Sequence, residues 1–232
     1  EKTAVIEVAS VVSLPNTKIQ NPLITSSFGV GQLIKDAVSE GAKEIIVGLG
    51  GSSTNDGGMG MLSALGVDFY DENNNLIKET ANKNLIQIHH FDLSKCQKLL
   101  QNISIIGMCD VKNPLLGTNG ATYVYSMQKG ATPEMLPLLE KNMKHYSNLI
   151  SSFFKKDVSL TPGAGAAGGL GFAFVSVLNA KLESGINLLL DKIGFNEEIK
   201  TADLVISGEG RLDNQSFSGK VIDGISQRCL YK

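Results

Sequence analysis

One stretch constrains this chain more than any other: EIIVGLGGSSTNDGGMGMLSALG, Glu44 to Gly66. Ile45, Ile46 and Val47 form an apolar run that predicts a short buried strand. Gly50-Gly51-Ser52-Ser53-Thr54-Asn55-Asp56-Gly57-Gly58 follows it. Met61, Leu62 and Leu65 then stand at helical spacing, with Gly66 placed to end the helix. Strand, glycine-rich loop and helix in that order let backbone N–H groups and a helix N-terminus converge on an anion. A turn needs glycine, but it does not need Ser52, Ser53, Thr54, Asn55 and Asp56 as well. The plainer reading of the same residues is a mobile connection between strand and helix.

A chain of 232 residues is long enough for one large or two small domains. Lys plus Arg is 21 against 23 for Asp plus Glu, and a net charge of −2 makes no electrostatic case for nucleic acid or a membrane surface. No apolar run approaches the roughly 20 residues that span a bilayer. EKTAVIEVAS at the start lacks the basic start and apolar centre of a secretory leader. Cys96, Cys109 and Cys229 make neither a metal-ligand spacing nor a disulfide framework, which predicts a reducing, cytoplasmic setting. His89, His90 and His145 do not form a zinc pattern.

Taken in order, Thr3 to Val12 is β-branched and apolar and predicts a strand. Thr25, Ser26 and Ser27 offer N-cap hydroxyls to a helix whose face is Val30, Leu33, Ile34, Ala37 and Val38. Val67 to Asp71 reads as a short strand, and Leu85 to Leu100 as loop with a short helix. Ile103 to Cys109 is a strand that delivers Asp110 at its end, where α/β proteins place site residues. An Asp capping the next turn is the plainer reading there. Gly117 to Gly130 reads as loop around a short aromatic segment. Met135, Leu139, Tyr146, Leu149, Ile150 and Phe153 form the apolar stripe of a long helix, which Pro137 either kinks or starts.

Thr161 to Gly185 contains Gly163, Gly165 and Gly168 in the spacing GxGxxG. A dinucleotide site needs a strand before that motif and a second strand ending in an acid about 20 residues later. Glu183 is at that distance, but Leu170 to Leu178 carry a helix almost to it, so no second strand is expected. What remains is a small-residue loop, Gly163 to Gly169, opening a helix. Asp203 to Ser207 predicts another buried strand. It leads into Glu209, Arg211, Asp213 and, through Ser218-Gly219, Lys220 before a helix at Val221, Ile222 and Ile225. The Walker A spacing is not met there.

Together the loops hold the groups that phosphoryl transfer needs. Phosphates take N–H donors and cations, Mg²⁺ takes one or two carboxylates, and an acceptor hydroxyl needs a nearby carboxylate. The stretches GLGGSSTNDGGMGMLSALG, CDVKNPLLGTNGA, PGAGAAGGLGFA and SGEGRLDNQSFSGK resemble the bacterial glycerate kinase type 1 family, in the same order and at similar spacing. NPLITSSFGVGQLI resembles it too. The resemblance implies a cytoplasmic transferase that moves the γ-phosphoryl group of ATP, with Mg²⁺, to a hydroxyl of D-glycerate. The alternative is a binding module that holds a small hydroxy acid without turnover.

The family's fold implies an α/β protein: a mixed α/β inserted domain, residues 1–195, and at 196–232 the start of the return into a Rossmann-like domain. The family's N-terminal segment and the end of its C-terminal part have no counterpart in this sequence, so part of the family's site is expected outside it. Oligomeric state is left open, a homo-oligomer included. The roles that suit the residue types are these. Gly50 to Gly58, with Ser52, Ser53, Thr54 and Asn55, and Gly163, Gly165, Gly168 and Gly169 line a cleft for phosphates and the acid. Asp56 or Asp110 orients the hydroxyl. Asp110, Glu209 and Asp213 are the candidates for holding Mg²⁺. Arg211 clamps a carboxylate or phosphate, and Lys220 offsets the charge in transfer.

Overall fold

The computed structural model describes residues 2–208 and 221–230, and the chain divides into two compact units at 182/183. The first unit is built on strands β1 (Thr3–Glu7), β2 (Glu44–Gly48) and β5 (Ser104–Met108). Between them run helices α1 (Ala9–Val12), α2 (Phe28–Ser39), α3 (Met59–Ala64), α4 (Asn82–Leu85) and α5 (Ser94–Leu99). A small antiparallel pair, β3 (Asp68–Tyr70) and β4 (His90–Asp92), lies among them. After β5 come α6 (Ala121–Tyr125), the long α7 (Leu136–Phe154), α8 (Ala166–Ser176) and β6 (Lys181–Glu183).

The main sheet has the order β1-β2-β5-β6. β1 and β5 both pair parallel with β2 in matched register, so β1, β2 and β5 end level at Glu7, Gly48 and Met108. Ile45, Val47 and Ile105 are buried in one cluster with Val30 and Ile34 of α2 and Met61 and Leu62 of α3. Tyr146 of α7 and Phe172 and Phe174 of α8 close the same cluster. Strands covered by helices in this way read as continuous apolar runs, which is why β2 is legible as Ile-Ile-Val.

Several sequence expectations need correction. The first strand stops at Glu7, and Val8 to Val12 turn instead into a helical step, closed by Val12 N–H to Val8 O at 3.1 Å. Val8 and Val12 are both buried, and their spacing of four suits a helix as well as β-branching suits a strand. Leu85 to Leu100 contributes a strand, β4, besides its helix, and the aromatic segment after Gly117 is helix α6. α7 begins at Leu136 with Pro137 in its first turn, where a missing N–H is tolerated.

The second unit holds α9 (Gly185–Lys192), α10 (Phe195–Glu198) and α11 (Val221–Leu230). Arg228 of α11 reaches Asp191 of α9 at 2.7 Å. The strand expected at Asp203 to Ser207 is not formed: Leu204 and Ile206 are 76% and 87% exposed. Among the described residues no neighbouring strand takes up its backbone groups, and an unpaired strand has no ladder to hold it.

Candidate active site

The parallel strands deliver their loops to one edge of the sheet, the carboxyl edge, where open α/β sheets bind ligands. β2 continues one residue further, with Leu49 N–H to Met108 O at 2.9 Å, and opens into the Gly50–Gly58 loop. That loop is fixed. Leu14 N–H bonds Gly51 O at 3.0 Å, Ser53 N–H bonds Val12 O at 2.8 Å, and the Thr25 hydroxyl bonds Ser53 O at 2.9 Å. Gly50 and Gly51 are exposed, whereas Ser52 to Gly58 are all buried.

Asp56 is fully buried and faces inward. Its Oδ2 accepts from Ser27 N–H at 2.7 Å, Ser27 Oγ–H at 2.8 Å and Gly60 N–H at 3.2 Å, and its Oδ1 from Gly58 N–H at 3.2 Å. Ser27 Oγ accepts in turn from Met61 N–H at 2.9 Å. The carboxylate therefore satisfies donors at the first turns of both α2 and α3, where negative charge is favoured. Burial pushes its carboxyl above the ordinary range, while these donors pull the other way.

The loop after α7 meets the first one directly. Gly57 N–H bonds Gly168 O at 3.0 Å, and a Cβ on Gly168 would run into the Thr54 carbonyl. Ala167, Gly168 and Gly169 are all left-handed, with φ of 50°, 70° and 93°, and this kinks the start of α8. Gly165 N–H bonds Asn113 O at 3.0 Å, which ties the same loop to the segment after Asp110. No strand precedes this GxGxxG, because α7 and a turn do; β6 does follow, ending at Glu183 where no strand was expected. The dinucleotide context remains unmet on the leading side.

Asp110 stands exposed just past β5, and its neighbour Val111 lines a cavity of about 140 Å³ with Gly50, Gly51, Ser52 and Ala167. Three of the sequence motifs thus meet at one opening. Lys129, which sequence reasoning passed over, lines it too. It ends a 3₁₀ turn, Met127–Lys129, closed by Gly130 at φ 91°. Only 3% of Lys129 is exposed, and its Nζ donates to Ser52 Oγ at 3.0 Å and Thr54 O at 2.8 Å. Burial pushes its pKa down to about 8, against the pull of the Asp56 charge. No local pattern marks a lone lysine as buried; the glycine that ends its turn is the nearest signal.

Glu209, Arg211, Asp213 and Lys220 lie outside the described residues. Among the described residues no group of three His, Cys, Asp or Glu side chains gathers to hold a metal ion. None of the described helices is long and apolar enough to cross a membrane.

A sequence model of the glycerate kinase family matches residues 1–231. The chain belongs to that family. It is 47% identical over 231 residues to a glycerate kinase of Bacillus cereus, covering 99% of this chain and 60% of that protein. It is 43% identical to the glycerate 2-kinase of Escherichia coli, covering 97% and 59%. A crystal structure from Salmonella typhimurium assigned as a glycerate kinase 2 superposes with a TM-score of 0.91 at 40% identity, covering 99% of this chain and 62% of that one. The α/β architecture implied by the resemblance is therefore that of the family. The chain spans about 60% of the length of the curated relatives it matches.

Proposed function

We propose that this chain carries the acceptor side of a glycerate kinase, which transfers the γ-phosphoryl group of ATP to a hydroxyl of D-glycerate. The observation that carries this reading is the meeting of three family motifs at one small opening on the carboxyl edge of the sheet. The family membership and the kinase names of the relatives disfavour a module that only binds.

In this reading Asp110, exposed at the end of β5, orients the acceptor hydroxyl and takes up its proton as that oxygen bonds the γ-phosphorus of ATP and the bond from the γ-phosphorus to the leaving ADP breaks. Asp56 is a positioning residue: its four hydrogen bonds fix the Gly50–Gly58 loop against α2 and α3. The exposed Gly50 and Gly51 let backbone approach the ligand. Arg211 and Lys220 keep the phosphate-facing roles that their charge suits. Mg²⁺ usually keeps several waters and takes one or two carboxylates plus phosphate oxygens, and with Asp110 serving the hydroxyl the candidates for holding it are Glu209 and Asp213. When bound, Mg²⁺ neutralises charge on the phosphate oxygens.

ADP release from Mg-ATP, measured with and without D-glycerate, tests this. The reading expects release that depends on D-glycerate and falls at least about 100-fold in Asp110→Ala. Release that ignores D-glycerate, or survives in that variant, contradicts it.

A further inference from the structure

Lys129 is a buried cation that touches no carboxylate among the described residues. Its two polar contacts among the described residues, the Ser52 hydroxyl and the Thr54 carbonyl, are neutral. An ammonium has three N–H donors, so one remains. Asp56, whose charge reaches it, spends its oxygens on Ser27, Gly58 and Gly60. Burying a charge in this way is costly unless something compensates. Simply fastening the loop would need only a neutral donor.

The surroundings say what the compensation is. Lys129 and Ser52 line the same cavity, beside Gly50, where a side chain would meet open space. At about 140 Å³ the cavity lies below the roughly 300–1,000 Å³ that holds drug-sized ligands and cofactors, a scale that suits a small acid better than a whole nucleotide. Val111, next to Asp110, forms the same wall. An acid seated with its carboxylate on Lys129 therefore has its hydroxyl end toward the residue proposed to orient it.

Resting on the glycerate kinase reading, we infer that Lys129 recognises the carboxylate of the acceptor acid, together with the Ser52 hydroxyl and the Gly50–Gly51 backbone. Arg211 is thereby left for phosphate. The cavity distinguishes a hydroxy acid from a polyol of the same size by this one charge.

The test uses the intact protein with two acceptors, D-glycerate and glycerol, the latter lacking the carboxylate. Lys129→Met keeps the stem and removes the charge. It should lower kcat/KM for D-glycerate by about 100-fold or more and that for glycerol far less, so that the preference for the acid over the polyol is lost, while the KM for ATP stays within about twofold. Equal losses with both acceptors would reduce Lys129 to a strut, and an unchanged KM for D-glycerate would remove it from recognition; either overturns the inference. If the variant fails to fold, the wild type decides. Among the described residues the titratable groups that act on Lys129 or share its cavity are Asp56 and Tyr125, and burial raises the Tyr125 phenol above its ordinary range. KM for D-glycerate should be steady below pH about 8 and rise above it as the ammonium loses its proton. A flat profile through that range overturns the inference. A wild type that never turns over D-glycerate sinks the kinase reading as well, whereas an active wild type with an unaffected Lys129→Met variant sinks this inference alone.

Discussion

Asp56 and Lys129 are both buried charges beside one loop, and the fold treats them differently. Asp56 is saturated by donors from Ser27, Gly58 and Gly60. Removing its carboxylate strands those groups in a dry interior. Asp56→Ala should therefore lose about 3–5 kcal/mol of stability, read as a lower urea midpoint at unchanged slope. A loss under about 1 kcal/mol would mean water replaces the carboxylate. Sequence reading picked out Asp56 because an acid within Gly-Gly-Ser-Ser-Thr-Asn-Asp-Gly-Gly is conspicuous. Its hydrogen-bond partners were not legible, because they include Ser27, 29 residues earlier. Lys129 was illegible for a related reason: its partners Ser52 and Thr54 stand 77 and 75 residues away.

At the level of elements, the junction between the two glycine loops fixes the opening. Gly168 combines a φ of 70° with a contact on the Thr54 carbonyl that leaves no room for a methyl group. Gly168→Ala should cost well over the ~1 kcal/mol of the left-handed backbone alone, because the loops must separate. A thermal melt checks the stability, and the KM for D-glycerate should rise with it. Unchanged values would mean that the loops are not coupled. The glycine spacing was legible, and so was its unsuitability for a dinucleotide on the side before it. The segment at Asp203 to Ser207 was not, since an apolar run expresses a strand only when a neighbouring strand accepts its hydrogen bonds. The short helix at Ala9–Val12 shows the same weakness of composition, because β-branched residues at a spacing of four serve either element.

For the whole molecule, the strand–loop–helix order around β2 and the long motifs were enough to place the chain in its family, and the family match over residues 1–231 agrees. The account's central claim is narrower: the acceptor acid is held by the first unit, residues 1–182, at the carboxyl edge of its sheet. Calorimetric titration of the 232-residue chain with D-glycerate, without nucleotide, tests that most directly. The account predicts saturable binding at one site, with no comparable heat from glycerol. Absence of binding by this chain, set against clear binding by a longer form of the protein, would contradict it and place the acceptor site elsewhere.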